Sequence, residues 1–85
     1  MNWQLCIANQ ARKSLLRLPR NSSDRLLTVL GEIGEDPYRG DIKKIKGEVD
    51  TWRRRVGRYR ITYEILVSDK TINVTLIEMK SDNTY

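Results

Sequence analysis

The chain begins with a stretch in which apolar and polar positions alternate. Over residues 3–7 the apolar side chains of Trp3, Leu5 and Ile7 lie two positions apart. Successive side chains of a strand point to opposite faces, so this spacing predicts a first β-strand with one buried face.

The spacing of apolar residues then becomes helical. Ala11, Leu15 and Leu18 recur at positions i, i+4 and i+7, which predicts an amphipathic helix over residues 9–18. Pro19 closes this helix, because a proline inside a helix removes a backbone hydrogen bond and clashes with the preceding turn.

A second helix is predicted to end at Asp36-Pro37, and its apolar stripe consists of Leu26, Leu30 and Ile33. Three residues that can cap a helix start precede the stripe: Asn21, Ser22 and Ser23. The short connection between the two helices favours an αα-hairpin.

After Gly40 the apolar residues return to the spacing of strands. The predicted elements are a short strand at Ile42–Ile45, a β-hairpin at Trp52–Val67 and a last strand at Thr71–Met79, with Ile72, Val74 and Leu76 on one face of the last strand. The order β-α-α-β-β-β predicts an α+β fold, a single domain over residues 1–85. In it the helical hairpin packs on one face of a small, mainly antiparallel sheet.

The central hairpin contains a tight-turn signal. Glycine takes positive φ without strain, and Gly57-Arg58 fits a two-residue type II′ turn. This turn places Arg55 directly opposite Arg60. Alternation then gives one basic face, carrying Arg53, Arg55 and Arg60. The other face carries Trp52, Val56, Tyr59, Ile61 and Tyr63.

Two arginines opposite each other repel, so this register favours an anion between them. The alternative is a solvated basic face that maintains solubility and discourages edge-to-edge pairing, with Glu64 neutralising part of the charge. Lys43, Lys44 and Lys46 form a smaller basic patch, which is either a solvated strand and loop or a set of RNA phosphate contacts.

The charge balance narrows the class of partner. The chain has 85 residues and a formal net charge of +5. Such a balance favours a polyanionic partner. No stretch is apolar enough to span a bilayer and no signal peptide is visible, so a cytoplasmic protein without a membrane partner is expected.

Two residue types limit the possible chemistry. Histidine is absent, which excludes a catalytic triad that uses histidine. Cys6 is the single cysteine, so neither an intrachain disulfide nor a zinc cage of cysteines can form, and it is expected to be a small buried hydrophobic residue. No glycine-rich phosphate loop or metal-spaced carboxylate pair is present, so neither a cofactor nor a metal is expected.

Four segments, in this order and spacing, resemble the RelE/ParE superfamily of bacterial toxins. The segments are Leu15–Pro19, Asp36-Pro37, Ile45–Gly47 and Trp52–Glu64. The resemblance implies a toxin of a type II toxin–antitoxin pair, neutralised by a cognate antitoxin protein. RelE-like members cleave messenger RNA in the ribosomal A site, whereas ParE-like members share the fold and inhibit DNA gyrase. A simple RNA- or DNA-binding domain is a third alternative.

The resemblance also implies catalytic residues for the RelE-like alternative. Arg53, Arg55 and Arg60 fall where those enzymes keep basic residues around the scissile phosphate. Lys80 falls near a basic residue at the end of the last strand, and Tyr85 resembles a terminal tyrosine that stacks on or orients a base.

The chain also departs from the family pattern. Many active relatives have histidine or arginine where this chain has Met79-Lys80. Strict alternation places Lys80 on the face of Leu76, so a bulge or a strand end near Glu78 is expected to turn it outward. Arg54 stands where an apolar residue usually faces the helices, and it is expected to extend towards the sheet edge.

Overall fold

The computed structural model of the protein describes residues 3–47 and 50–79. Within these residues the chain forms two α-helices and five strands. They are β1 (Gln4–Ile7), α1 (Asn9–Arg17), α2 (Arg20–Glu35), β2 (Ile42–Lys44), β3 (Thr51–Val56), β4 (Tyr59–Leu66) and β5 (Thr71–Met79). The predicted order and the α+β class are confirmed. Neither helix combines the length and the apolar composition that crossing a bilayer requires.

The five strands form one sheet in the order β1-β5-β4-β3-β2. β1 is parallel to β5, and the other neighbouring strands are antiparallel. The first two strands in the sequence therefore occupy the two edges of the sheet. The helical hairpin carries the chain from one edge to the other, because a connection between distant strands must cross a sheet face.

The hydrophobic core lies between the helices and one face of the sheet. Its fully buried members include Ala11, Leu26 and Ile33 from the helices and Ile61, Ile65, Ile72 and Val74 from the strands. We call the opposite side of the sheet the open face. Arg55 and Cys6 are exposed there, so any chemistry on this face has access to solvent.

The central hairpin has the predicted register. Arg55 pairs with Arg60 and Trp52 pairs with Tyr63, and Gly57 has a φ of +60° in the two-residue turn. A one-residue slip would have exchanged the two faces of the hairpin. The observed register therefore puts the side chains of Arg53, Arg55 and Arg60 on the open face.

The predicted capping of α2 by side chains is wrong. The helix begins at Arg20, immediately after Pro19, and no side chain caps its first backbone N–H groups. The Ser23 hydroxyl instead donates to the carbonyl oxygen of Arg20 at 3.0 Å. Proline at a helix start has no N–H to satisfy and a φ already suited to the helix, which explains the earlier start.

The predicted burial of Cys6 is also wrong. Leu5 and Ile7 pack against the core, and Cys6 lies between them on the strand. Alternation therefore directs its thiol to the open face, where it is exposed.

A bulge in β5 corrects the predicted face of Leu76. Thr62 pairs with Leu76 whereas Tyr63 pairs with Val74, so Thr75 is an extra residue in β5. An extra residue inverts the alternation that follows it. Ile77 therefore takes the core position, while Leu76 lies with Thr62 on the open face. The predicted bulge exists, but it precedes Glu78 by three positions.

Arg54 contacts a helix instead of extending to the sheet edge. Its Nη2 donates to Oε1 of Glu32 at 2.7 Å, and its Nη1 donates to the carbonyl oxygen of Arg39 at 3.4 Å. The Arg54 side chain is only 13% exposed. An arginine on the core face is thus accommodated by an ion pair with α2.

Two glycines are expected to respond oppositely to alanine. Gly31 lies within α2 with open space where a Cβ would be, so Gly31→Ala should stabilise the fold by about 0.5–1 kcal/mol. Gly40 has a φ of +96°, and its Cβ would lie 2.7 Å from Cζ of Arg54. Gly40→Ala should therefore destabilise by about 1–3 kcal/mol. Urea unfolding of both variants tests this, and equal shifts of the midpoints would contradict it.

The buried hydroxyl of Tyr63 should make the fold less stable at alkaline pH. Burial raises its pKa to about 12, and its hydroxyl donates to the carbonyl oxygen of Pro37 at 2.7 Å. The unfolded chain loses this proton near pH 10, so stability should fall by about 2–3 kcal/mol as pH rises from about 10 to 12.

Tyr63→Phe isolates this effect from the titration of other groups. The variant should lose about 1 kcal/mol at pH 7 with the missing hydrogen bond and should show a shallower alkaline decline. The measurement is denaturant unfolding of both proteins from pH 7 to 12. Parallel alkaline curves would contradict the assignment.

Candidate functional site

The open face carries a concave cleft beside β2, with a volume of about 310 Å³. Six residues line it: Asp41, Ile42, Lys43, Arg53, Arg55 and Arg60. We call this site the basic cleft. The three arginines that the sequence predicts to share a face therefore also share a cavity, together with one of the predicted lysines.

Arg53 lies on the middle of β3, between two neighbouring strands. It pairs with Lys43 of β2 on one side and with Thr62 of β4 on the other. Within residues 3–47 and 50–79 no hydrogen bond or ion pair holds its guanidinium. This guanidinium is therefore the one in the cleft that a ligand can bind without displacing a described partner.

Arg55 is held at the rim of the cleft by Asp41. Its Nε donates to Oδ2 of Asp41 at 3.1 Å, and its backbone N–H donates to the Asp41 carbonyl oxygen at 3.0 Å. Both side chains are more than half exposed. Because exposed ion pairs contribute at most about 1 kcal/mol, a phosphate can displace this carboxylate at little cost.

Arg60 has a second carboxylate beside it. Its Nη2 lies 3.7 Å from Oε2 of Glu78, its partner across the β4–β5 ladder. The Arg60 Nε is buried and has no hydrogen-bond partner in the described structure. A buried donor without a partner is costly, so this guanidinium retains an unused capacity to donate to an anion.

The two carboxylates are the part of the site that sequence reasoning missed. Lys43 and the three arginines contribute four positive charges, against which Asp41 and Glu78 contribute two negative ones. The cleft thus keeps an excess of positive charge. Glu64, considered from the sequence as a neutralising group, instead accepts a hydrogen bond from Nδ2 of Asn73 at 3.3 Å.

The three predicted RNA-binding lysines do not form one patch. Lys43 lines the cleft, but Lys44 follows it on the strand and its Nζ lies 5.9 Å from the ring centroid of Trp52, on the core side of the sheet. Lys46 is exposed in the turn after β2 and is not among the cleft residues. Alternation along β2 separates Lys43 from Lys44.

Two of the predicted catalytic residues, Lys80 and Tyr85, lie outside the described residues, and their roles stay predictions. Within the described parts of the chain, no group of three or more cysteine, aspartate or glutamate side chains has a geometry that could hold a metal ion.

A comparison with known protein families shows the family to which the chain belongs. Residues 5–83 match the family described as the ParE toxin of the type II toxin–antitoxin system parDE. The chain belongs to this family. The match spans both helices, β2 to β5 and all but the first residue of β1, and it confirms the RelE/ParE superfamily predicted from the sequence.

Individual relatives carry RelE names. The chain is 25% identical over 83 residues to a candidate toxin RelE1 of Methanocaldococcus jannaschii, covering 94% of this chain and 92% of that protein. The archaeal RelE–RelB complex of Pyrococcus horikoshii OT3 contains a chain with a TM-score of 0.83 and 26% identity, covering 98% and 100% of the two chains. For the Methanococcus jannaschii RelB–RelE complex the TM-score is 0.72 and the identity 28%, with coverage of 87% and 88%.

Proposed function

We propose that this toxin is an mRNA endoribonuclease that cleaves message on the ribosome through the basic cleft. The observation that carries the proposal is the convergence of three arginines and Lys43 on one concave cavity of the open face. A guanidinium group can donate two parallel hydrogen bonds to phosphate oxygens, so a cavity lined by several of them suits a phosphodiester. A phosphodiester needs several, because charge accumulates on its oxygens during cleavage.

The proposed reaction begins with attack of the ribose 2′-oxygen on the adjacent phosphorus. Arg60 and Arg53 bind the non-bridging oxygens, since a planar guanidinium donates two parallel hydrogen bonds to such groups. Arg55 assists the attacking oxygen electrostatically. None of the three serves as a base, because a guanidinium group keeps its proton throughout the neutral pH range.

Lys80 and Tyr85 complete the proposed site. Lys80 is the proposed proton donor to the leaving 5′-oxygen. Tyr85 is proposed to stack on a base, as aromatic side chains do with unpaired RNA. No resident metal or cofactor takes part in this scheme.

The ribosome is proposed to supply the substrate geometry. The cleft is open, and the paired carboxylates compete with phosphate for two of its arginines. Fixing the message beside the cleft converts a bimolecular encounter into an intramolecular one. We therefore expect slow cleavage of free RNA and fast cleavage of translated message, and we propose that the toxin acts in the cytoplasm.

The proposed partner of the free toxin is a cognate antitoxin with an acidic or amphipathic segment. The net charge of +5 favours such a segment. The names of the Pyrococcus and Methanococcus relatives, which are RelE–RelB complexes, support a partner of this kind.

A ParE-like inhibitor of DNA gyrase is the second candidate, because the matching family is named for ParE. One experiment separates the two. The toxin is induced in growing bacteria, and message cleavage is followed by primer extension while plasmid supercoiling is followed on gels. New 5′ ends in translated message with unchanged supercoiling support the nuclease. Relaxed plasmid with intact message identifies the gyrase inhibitor instead.

A further inference from the structure

The proposed cleavage needs a base for the 2′-hydroxyl, and the arginines of the cleft cannot act as one. The chain contains no histidine. Carboxylates are already deprotonated at neutral pH, so they can accept a proton without first losing one. In the described part of the open face two carboxylates contact the cleft arginines, Asp41 and Glu78.

The environment of Asp41 suits a structural role. Its Oδ2 accepts a hydrogen bond from Nε of Arg55, and its carbonyl oxygen accepts the Arg55 backbone N–H. These two contacts join the loop before β2 to β3. A proton taken up by Asp41 would weaken the contact that holds this rim together.

The carboxylate of Glu78 is held less tightly than that of Asp41, and a base must have an oxygen available to accept a proton. Its Oε2 lies 3.7 Å from Nη2 of Arg60, which is an electrostatic contact rather than a hydrogen bond. No described residue donates a hydrogen bond to either carboxylate oxygen. The lone pairs are therefore available, next to the guanidinium proposed to bind the phosphate.

We propose that Glu78 is the general base of the cleavage reaction, an inference that rests on the proposed function. Glu78 accepts the proton of the 2′-hydroxyl, and the 2′-oxygen forms a bond to phosphorus. The bond from phosphorus to the 5′-oxygen breaks, and that oxygen takes a proton from a general acid or from water. The products are a 2′,3′-cyclic phosphate and a 5′-hydroxyl, with Glu78 protonated until solvent removes the proton.

Substrate binding itself prepares the base. The phosphate competes with Glu78 for Arg60, whose buried Nε has no described partner to lose. As the guanidinium turns to the phosphate, Glu78 loses its nearby counter-charge. Its oxygen lone pairs are then free to accept the proton of the 2′-hydroxyl. Before the substrate binds, the Arg60–Glu78 contact thus holds the base next to the position that the phosphate will occupy.

The test compares Glu78→Gln with the wild type in single-turnover cleavage of message on purified ribosomes. Glutamine keeps an oxygen near Arg60 but cannot take the proton. The cleavage rate should fall about 100-fold or more while ribosome binding stays the same or tightens. Glu78→Asp should recover part of the rate.

Two matched controls accompany this variant. Glu64→Gln removes a carboxylate elsewhere on the open face and should cleave normally. Asp41→Asn tests the other carboxylate that contacts a cleft arginine, and it should reduce the rate less than Glu78→Gln. Thermal unfolding of each variant shows whether a low rate reflects a lost fold.

The possible outcomes separate this proposal from the function on which it rests. Undiminished cleavage by a folded Glu78→Gln, or a larger loss in Asp41→Asn, would overturn the role of Glu78 while the nuclease function stands. A loss confined to ribosome binding would also overturn it, since a base acts on the chemical step. A wild type that cuts no message would overturn both.

Discussion

Replacing Arg60 with alanine is expected to abolish growth inhibition and to lower mRNA cleavage about 100- to 1000-fold. The reason is that a preorganised cation beside the phosphate acts mainly on the charge that develops in the transition state. The fold should persist, because the Arg60 side chain lies on the open face and is not a member of the hydrophobic core. The measurement is primer extension on translated message, with growth curves in parallel.

Arg58 offers a matched control for this experiment. It is an exposed arginine in the hairpin turn, two residues from Arg60, and it is not part of the basic cleft. Arg58→Ala removes the same charge and should retain toxicity. Equal losses in the two variants would show that overall charge, rather than the cleft, determines activity.

Truncation of Leu26 should destabilise the fold strongly. This side chain extends from α2 and is fully buried in the hydrophobic core. Leu26→Ala should lower the free energy of unfolding by about 2–5 kcal/mol, because apolar burial is lost and a cavity is left behind. A domain of this size has only about 5–10 kcal/mol in total, so the variant is expected to unfold partly at 37 °C.

The next residue supplies the control. Leu27 is 52% exposed on the same helix, and Leu27→Ala should change stability by no more than about 0.5 kcal/mol. Urea unfolding monitored by tryptophan fluorescence gives both values. Similar losses in the two variants would mean that the orientation of α2 on the sheet is wrong.

The elements and the central hairpin were predictable because their signals are local. Gly57 specifies the turn, and the alternation on either side of it specifies which residues share a face. Since the turn is only two residues long, it fixes the register in which Arg55 lies opposite Arg60. The arginine cluster followed directly from these two signals.

The rest of the site depends on contacts between segments that are distant in the sequence. Glu78 reaches Arg60 because the bulge at Thr75 inverts the alternation of β5, and no residue near Thr75 signals that bulge. Asp41 reaches Arg55 only when β2 pairs with β3. Local patterns therefore predicted the cations and could not predict their carboxylate partners.

The parallel pairing of β1 with β5 has a consequence for the order of folding. Gln4–Ile7 can complete the sheet only after residues 71–74 have been synthesised, so the first strand waits for the last. Contacts of such long sequence separation slow folding, because the loop between them must close first. Arg60 likewise meets Glu78 only when β5 is present. A ribosome must therefore synthesise β5 before the chain can carry the Arg60–Glu78 contact beside the cleft.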